Sequence, residues 1–247
     1  MKALLSLLCL LAAFPLHAEE FGVAAASDLN FAIKEIIQEF EHNTGHKVRL
    51  TLGSSGNFYA QIKNGAPFDV FLSADLNYPQ QLERSGQAVA GSTFVYGIGR
   101  IALWVPPRSK IDLEKVRMQV LLDPSVKKIA IANPEHAPYG RAAIAAMEEA
   151  GVYSRVKEKL VLGENISQAA QFVQSGAAEI GVIALSIVLS EPMRSGKHWI
   201  VPTDTYPKLE QGAVLVKRAG PGARAFHEWL RGPQARKVFE KYGFNPG

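Results

Sequence analysis

Apolar and polar positions alternate along this chain with two different periods. Short apolar runs, typical of buried strands, are followed by segments in which apolar residues recur every three to four positions, as in amphipathic helices. Residues 21–26 predict a strand, residues 29–41 predict a helix, and Gly45 lies where the helix should end. Further strands are predicted at residues 47–52, 69–72, 128–132, 160–162 and 179–184, and further helices at residues 58–63, 78–85, 140–150, 167–174, 222–230 and 233–242. This alternation predicts an α/β fold.

Two longer extended segments, residues 94–105 and 211–217, bracket the middle of the chain. We interpret them as the crossovers between two lobes that share a hinge. The predicted first lobe comprises residues 19–98 and 212–247, and the predicted second lobe comprises residues 99–211. A ligand cleft is expected between the two lobes.

The N-terminal segment has the order of a secretory signal peptide. Lys2 supplies a positive charge, residues 4–15 are apolar except for Ser6, and Ala18 precedes a polar pair. The apolar run is shorter than the ~20 residues that a membrane-spanning helix needs. We therefore expect residues 1–18 to be a signal peptide that is cleaved after Ala18, and the mature protein to be periplasmic.

Cysteine, histidine and net charge narrow the classes of function. Cys9 is the sole cysteine and lies in the predicted signal peptide, so the mature chain is expected to have no disulfide and no cysteine metal ligand. The histidines show no H-E-x-x-H spacing, which argues against zinc. The 27 Lys and Arg residues against 23 Asp and Glu are spread along the chain rather than clustered. This distribution argues against nucleic-acid binding, although a small positive excess helps to attract an anion.

Four predicted strand-to-helix junctions are rich in small or hydroxylic residues. They lie at residues 26–30, 53–57, 137–140 and 163–167. The first turn of a helix has backbone N–H groups without partners and carries the positive end of the helix dipole, so such a junction can bind an anion. Ordinary helix capping explains each junction equally well. The pattern alone therefore indicates an exported α/β protein with candidate anion sites.

Several short motifs follow one another in a defined order along the mature chain. They are Ala24-Ala25-Ala26-Ser27, Gly53-Ser54-Ser55, Gly65-Ala66-Pro67-Phe68-Asp69-Val70-Phe71-Leu72-Ser73-Ala74-Asp75, Asn133-Pro134-Glu135-His136-Ala137-Pro138-Tyr139-Gly140, Gly232-Pro233-Gln234-Ala235 and Tyr242-Gly243-Phe244. In this order and spacing they resemble the periplasmic molybdate-binding proteins of ABC importers, the ModA family. The resemblance implies a type II periplasmic binding protein fold with two lobes and a ligand cleft.

The resemblance also implies a set of ligand residues. In that family, serine hydroxyls and backbone amides hold the oxyanion without a positively charged side chain. Ser27 and Ser55 are then expected to donate their hydroxyls and amides, and Tyr139 and Ile166 their backbone amides. If the alignment of Gly53-Ser54-Ser55 with the family motif is shifted by one residue, Ser54 takes the place of Ser55 as the ligand. The resemblance implies no cofactor, no catalytic residue and no side chain that coordinates the metal directly.

One position departs from the family pattern. Some members place a tyrosine hydroxyl where this chain has Ala184, so a donor is either missing or supplied from elsewhere. A fully deprotonated oxyanion offers only acceptors, so a good site contains only donors. We accordingly interpret the carboxylate of Asp28 as support for the helix dipole and cap, and Arg141 as a solvated residue of a first helical turn.

Alternatives from other classes remain open. Ser27 or Ser55 would be the nucleophile of a hydrolase or transferase on a similar frame, with His136 as its base, although the chain has no G-x-S-x-G elbow. A second alternative is that the ligand is another oxyanion such as sulfate. A third is that the chain is the ligand-sensing half of a regulator. The interpretation that we adopt is a monomeric solute-binding protein, not an enzyme, that passes molybdate or tungstate to an ABC transporter permease. The preference between these two anions is left open.

Overall fold

A computed structural model describes residues 18–247, so the predicted signal peptide lies outside the described residues except for Ala18. The strands are β1 Glu20–Ala26, β2 Lys47–Gly53, β3 Val70–Ser73, β4 Phe94–Gly99, β5 Ile101–Val105, β6 Ile129–Ala132, β7 Leu160–Gly163, β8 Ile180–Ala184, β9 Lys197–Ile200 and β10 Leu209–Leu215. The helices are α1 Asn30–Thr44, α2 Ser55–Lys63, α3 Asn77–Arg84, α4 Leu113–Val116, α5 Pro138–Glu149, α6 Tyr153–Val156, α7 Ile166–Gln174, α8 Leu185–Val188, α9 Pro221–Arg231 and α10 Pro233–Lys241. Short 3-10 segments occupy Ser27–Leu29, Arg117–Leu122 and Lys157–Lys159.

The first lobe is built on a five-stranded sheet in the order β2-β1-β3-β10-β4. Strand β1 runs parallel to β2 and β3, and β10 runs antiparallel to β3 and β4. Helices α1, α9 and α10 pack together over this sheet. Their core is aromatic, since the ring of Phe40 lies 5.0 Å from that of Phe226 and 5.8 Å from that of Trp229. Ile33, Ile36 and Phe40 are all buried, which confirms the apolar face predicted for the first helix.

The second lobe is built on a sheet in the order β7-β6-β8-β5-β9. Strand β6 runs parallel to β7 and β8, and β5 runs antiparallel to β8 and β9. All residues of β5, β6 and β8 are buried, as expected for apolar strands that are covered on both faces. Helices α5 and α7 pack against β6 and β8. Within residues 18–247, no helix combines the length and the apolar character needed to cross a membrane.

The chain passes between the lobes twice. Strand β4 ends at Gly99 in the first sheet and β5 begins at Ile101 in the second, so a single residue, Arg100, separates them. The return passage connects β9 to β10. Two such passages form a hinge about which the lobes can close. The predicted lobe boundary at residues 98/99 lies at the first passage. The predicted boundary at residues 211/212 lies within β10. The exact positions of both boundaries stay a prediction.

The alternation of strands and helices and the division into two lobes are confirmed. Gly45 ends α1 as predicted, with a φ angle of 77° and an amide that donates to the carbonyl of Glu41 at 2.9 Å. The predicted extended segment, residues 94–105, is two strands that belong to different sheets. The sequence did not predict β9, α4, α6 or α8. Each of these elements has four residues, too few for a periodic pattern to emerge.

Candidate functional site

The strand-to-helix junctions lie at equivalent edges of the two sheets. In the first lobe, Ser27 follows β1 and Ser55 follows β2, and the ends of these parallel strands, Ala26 and Gly53, are paired. In the second lobe, α5 follows β6 and α7 follows β7, and the last residues of these parallel strands are paired likewise. Ligands of open α/β sheets bind outside the carboxyl ends of strands. All four junctions therefore lie where this architecture places a ligand.

All four predicted ligand residues are buried at the start of a helical segment. Ser27 begins the 3-10 turn that leads into α1, Ser55 begins α2, Tyr139 is the second residue of α5, and Ile166 begins α7. Their exposed fractions are only 1% to 3%. Amides in a first helical turn have no partner within their own helix and carry the positive end of its dipole. The region therefore concentrates backbone donors away from bulk water.

The 3-10 turn of the first lobe contacts the start of α7 in the second lobe. The hydroxyl of Ser27 donates to Asn165 Oδ1 at 3.1 Å, and its oxygen accepts the amide of Ser167 at 3.3 Å. The hydroxyl of Ser167 donates to the carbonyl of Ser27 at 2.9 Å. Asn165 also caps α7, because its Oδ1 accepts the amide of Gln168 at 3.1 Å. The lobes are therefore closed onto each other at this point.

Helix α2 of the first lobe contacts the segment that precedes α5. The amide of Gly56 donates to the carbonyl of His136 at 2.9 Å. A Cβ atom at position 56 would lie 2.8 Å from that oxygen, so the close approach requires glycine. At the rim, Asn57 donates to Glu164 Oε1 at 2.6 Å, and His136 Nε2 lies 2.9 Å from the carbonyl oxygen of Glu164. These contacts bring the four helix starts into one region.

The two adjacent serines at the start of α2 both offer a hydroxyl. Ser55 Oγ accepts the amide of Ala74 at 2.9 Å, which leaves its hydrogen free to donate elsewhere. Ser54 Oγ is buried and has no hydrogen-bond partner among residues 18–247. Either serine can therefore donate to a ligand, and the alternative between Ser54 and Ser55 stays open.

Charged side chains at the cleft pair across the lobes. Arg141 of α5 bonds Asp75 of the first lobe at 2.7 Å, so this arginine is more than the solvated residue that the sequence suggested. Its guanidinium is neutralised by that carboxylate at the rim.

In the part of the chain that the structure describes, no group of three or more His, Cys, Asp or Glu side chains is placed to hold a metal ion. The donors at the four helix starts are themselves uncharged.

Asp28 is a buried carboxyl behind the site and does more than support the helix. Its Oδ2 accepts the hydroxyl of Tyr139 at 3.0 Å and the side-chain amide of Gln211 at 2.8 Å, whereas its Oδ1 is buried with no partner among residues 18–247. Burial raises the pKa of Asp28 to about 6, and the hydrogen bonds from Gln211 and Tyr139 lower it only in part. Asp28 lies in the first turn of the 3-10 segment, as dipole support requires, but its side chain makes no capping hydrogen bond there or at α1, so the capping part of the prediction is wrong.

Ala184 ends β8 and is fully buried, and its methyl side chain offers no hydrogen-bond donor. Shortly after it, the hydroxyl of Ser186 donates to the carbonyl of Asp28 at 2.7 Å, a further contact between the lobes. Sequence reasoning also missed Asn165 and Gln211 as partners of the site. Asn165 carried a local signal, because an asparagine before an apolar helical segment is a typical N-cap. Gln211 carried none, because its partners are distant in sequence.

Comparisons with known proteins agree with this geometry. Residues 21–245 match the family model described as bacterial extracellular solute-binding protein. The chain belongs to this family. It is 42% identical over 231 residues to the molybdate-binding protein ModA of Azotobacter vinelandii, with 92% of this chain and 90% of that relative covered. It is 40% identical over 234 residues to ModA of Rhodobacter capsulatus, with 94% and 90% covered.

A solved structure gives the same result. The periplasmic molybdate-binding protein of Azotobacter vinelandii superposes with a TM-score of 0.84 at 34% sequence identity, covering 92% of this chain and 99% of that chain. The type II periplasmic binding protein fold is thereby confirmed. The chain is a solute-binding protein rather than an enzyme, as its family membership shows.

Burial of Asp28 predicts a pH dependence of stability. Its pKa of about 6 in the folded protein exceeds the usual 3.8, so folding favours the neutral form. Stability from this group is fully present below about pH 4 and is lost as the pH rises through 6, a loss on the order of 3 kcal/mol by neutral pH. Asp28→Asn keeps an acceptor for Tyr139 but has no charge to bury.

The free energy of unfolding can be measured by urea denaturation at about pH 4 and about pH 7.5. The stability of Asp28→Asn relative to the parent should be greater at the higher pH than at the lower pH. Asp204→Asn, at an exposed position, corrects for the general effect of removing a carboxylate. A difference between Asp28→Asn and the parent that stays constant with pH contradicts the assignment.

Proposed function

We propose that this protein captures molybdate or tungstate in the cleft between its lobes and delivers the anion to the permease of an ABC transporter. In this proposal, the signal peptide is removed after Ala18, and the mature protein acts as a monomer in the periplasm. The observation that carries the proposal is the meeting of four buried helix starts, two from each lobe, at equivalent edges of the two sheets. Relatives named as molybdate-binding proteins support the choice of anion.

The proposed ligands are the hydroxyls and amides of Ser27 and Ser55 and the amides of Tyr139 and Ile166. All of these groups donate, which matches a tetrahedral anion that has only acceptor oxygens. The hydroxyl of Ser27 donates to Asn165 Oδ1, a neutral acceptor that is already engaged in capping α7. An anion offers that hydrogen a stronger, charged acceptor. Hydrogen bonds to charged groups contribute about 1.5–3 kcal/mol each, so several of them give tight binding without an ion pair.

The proposal predicts selective stabilisation by the larger oxyanions. A ligand that binds only the folded protein stabilises it by about 2.7 kcal/mol at a hundredfold excess over its Kd. For a chain of this size that corresponds to an increase in Tm of roughly 5–10 °C. Molybdate and tungstate should produce this increase at micromolar concentrations in a thermal-shift measurement, and sulfate and phosphate should produce little. Equal increases with all four anions would contradict a molybdate or tungstate site, and a larger increase with sulfate would support the sulfate alternative.

The proposed division between hydroxyl and amide donors predicts which substitutions matter. Ser55→Ala removes one hydroxyl from a buried anion, so it should weaken binding by about 1.5–3 kcal/mol in calorimetric titration with molybdate. Ile166→Val keeps the backbone amide and nearly the same shape, so it is the matched control and should leave the affinity almost unchanged.

Ser54→Ala tests the register of the serine pair. If the match slips by one residue, the results for Ser54→Ala and Ser55→Ala are exchanged. If both variants bind molybdate as tightly as the parent, the proposed ligand set is wrong.

A further inference from the structure

A buried hydrogen-bonded cluster lies between the lobes, next to the proposed ligands. Asp28 and Gln211 belong to the first lobe, in the 3-10 turn and in β10, and Tyr139 belongs to α5 of the second lobe. Their exposed fractions are 1%, 0% and 2%. Polar groups buried this deeply are costly unless they are hydrogen-bonded. The bonds of Tyr139 to Asp28 and Gln211 cross the cleft, so they form only when the lobes are closed.

Three hydrogen bonds connect the members of this cluster. The hydroxyl of Tyr139 donates to Asp28 Oδ2 at 3.0 Å and accepts from Gln211 Nε2 at 2.8 Å. Gln211 Nε2 also donates to Asp28 Oδ2 at 2.8 Å. Tyr139 therefore joins the second lobe to two residues of the first lobe through a single hydroxyl. The backbone amide of the same residue is one of the proposed anion ligands.

The side chain of Gln211 is aimed at this cluster by two features of the first lobe. The pairing of β10 with β4 shifts register between Gln211 and Gly212, an irregularity of the kind that redirects a side chain. The hydroxyl of Tyr96 donates to Gln211 Oε1 at 2.7 Å, which turns the Nε2 donor towards Tyr139. The position of Gln211 is thus set before the lobes meet.

Gly99, the last residue of β4 at the hinge, leaves room for the cluster. A Cβ atom there would overlap the hydroxyl of Tyr139 and the Nε2 of Gln211. The φ angle of Gly99 is not in the left-handed region, so this position needs glycine for space rather than for backbone conformation. The cluster therefore packs directly against the first passage between the lobes.

We propose that Asp28, Tyr139 and Gln211 form an interlobe latch that holds the lobes closed and sets the rate at which the bound anion is released. The latch rests on the proposed function, because its role is to retain the anion whose ligands include the amide of Tyr139. Asp28 and Gln211 are positioning residues in this account, since they act on the anion through Tyr139. The latch forms only after the lobes meet, so it affects dissociation far more than association.

The test uses the hydroxyl of Tyr139 alone. Tyr139→Phe removes the hydroxyl and keeps the ring and the backbone amide. We expect release of bound tungstate, measured by stopped-flow chase with excess molybdate, to be roughly ten- to a hundredfold faster, because the lost bond goes to a carboxylate. The association rate should change by no more than about threefold. Small-angle X-ray scattering of the tungstate-loaded variant should show a larger fraction of open molecules than the parent.

Tyr242→Phe is the matched control. The hydroxyl of Tyr242 also donates to a carboxylate, Glu35 Oε2 at 3.1 Å, but this bond lies within the first lobe and outside the latch. Both variants lose a hydroxyl and some stability, but only Tyr139→Phe should accelerate release. Equal acceleration in both variants, or none in Tyr139→Phe, overturns the latch while leaving anion binding intact. If the parent protein binds no oxyanion, the proposed function and the latch both fail.

Gln211→Met supplies a second variant on the opposite side of the latch. It keeps the length of the side chain and removes its amide, so it should also accelerate release. Because Gln211 and Tyr139 bond each other and share the Asp28 carboxylate, the acceleration in the double variant should be smaller than the product of the two single accelerations. If the acceleration of release in the double variant equals the product of the two single accelerations, the two residues act independently, which overturns the latch.

Discussion

The central constraint on the closed cleft is the hydrogen bonding of the backbone amides at the starts of its helices. In the open protein these amides bond water, but each amide that is buried without a partner costs about 1–3 kcal/mol. Parallel pairing of β1 with β2 and of β6 with β7 places two helix starts at one edge of each sheet. Gly56 and Asn165 then let the two edges approach each other. In the proposed function, an anion at the meeting point satisfies donors from both lobes at once, so its binding favours closure.

Burial of the Asp28 carboxylate carries a desolvation cost that its hydrogen-bond donors must offset. Its pKa of about 6 means that, at neutral pH, a charged carboxylate is buried when the lobes close, with one oxygen unpartnered among residues 18–247. Tyr139 and Gln211 offset part of this cost by donating to the other oxygen. Burial, followed by the negative charge of Asp28, raises the pKa of Tyr139 well above 10, so its hydroxyl keeps the hydrogen that it donates. The bond from Tyr139 across the cleft therefore stabilises a carboxylate that burial alone destabilises, which is the energetic basis of the proposed latch.

Sequence patterns predicted the parts of this structure that depend on local chemistry. The α/β alternation, the C-cap at Gly45 and the four junctions follow from period, capping and small residues within a few positions. The interlobe contacts do not, because Asp28, Tyr139 and Gln211 are brought together by two chain passages rather than by spacing. Arg141 shows the same limit, since its partner Asp75 belongs to the other lobe. The choice between Ser54 and Ser55 is not decided by the pattern or by burial, because both hydroxyls are buried and available.

The most direct test of the account is anomalous diffraction at a tungsten absorption edge from crystals of the mature protein grown with tungstate. We expect a single strong peak between the lobes. Its oxygens should lie within hydrogen-bond distance of the hydroxyls of Ser27 and of Ser55 or Ser54, and of the amides of Tyr139 and Ile166, with no lysine or arginine in contact. A peak that is held by Arg141, or one that lies away from the four helix starts, would contradict it.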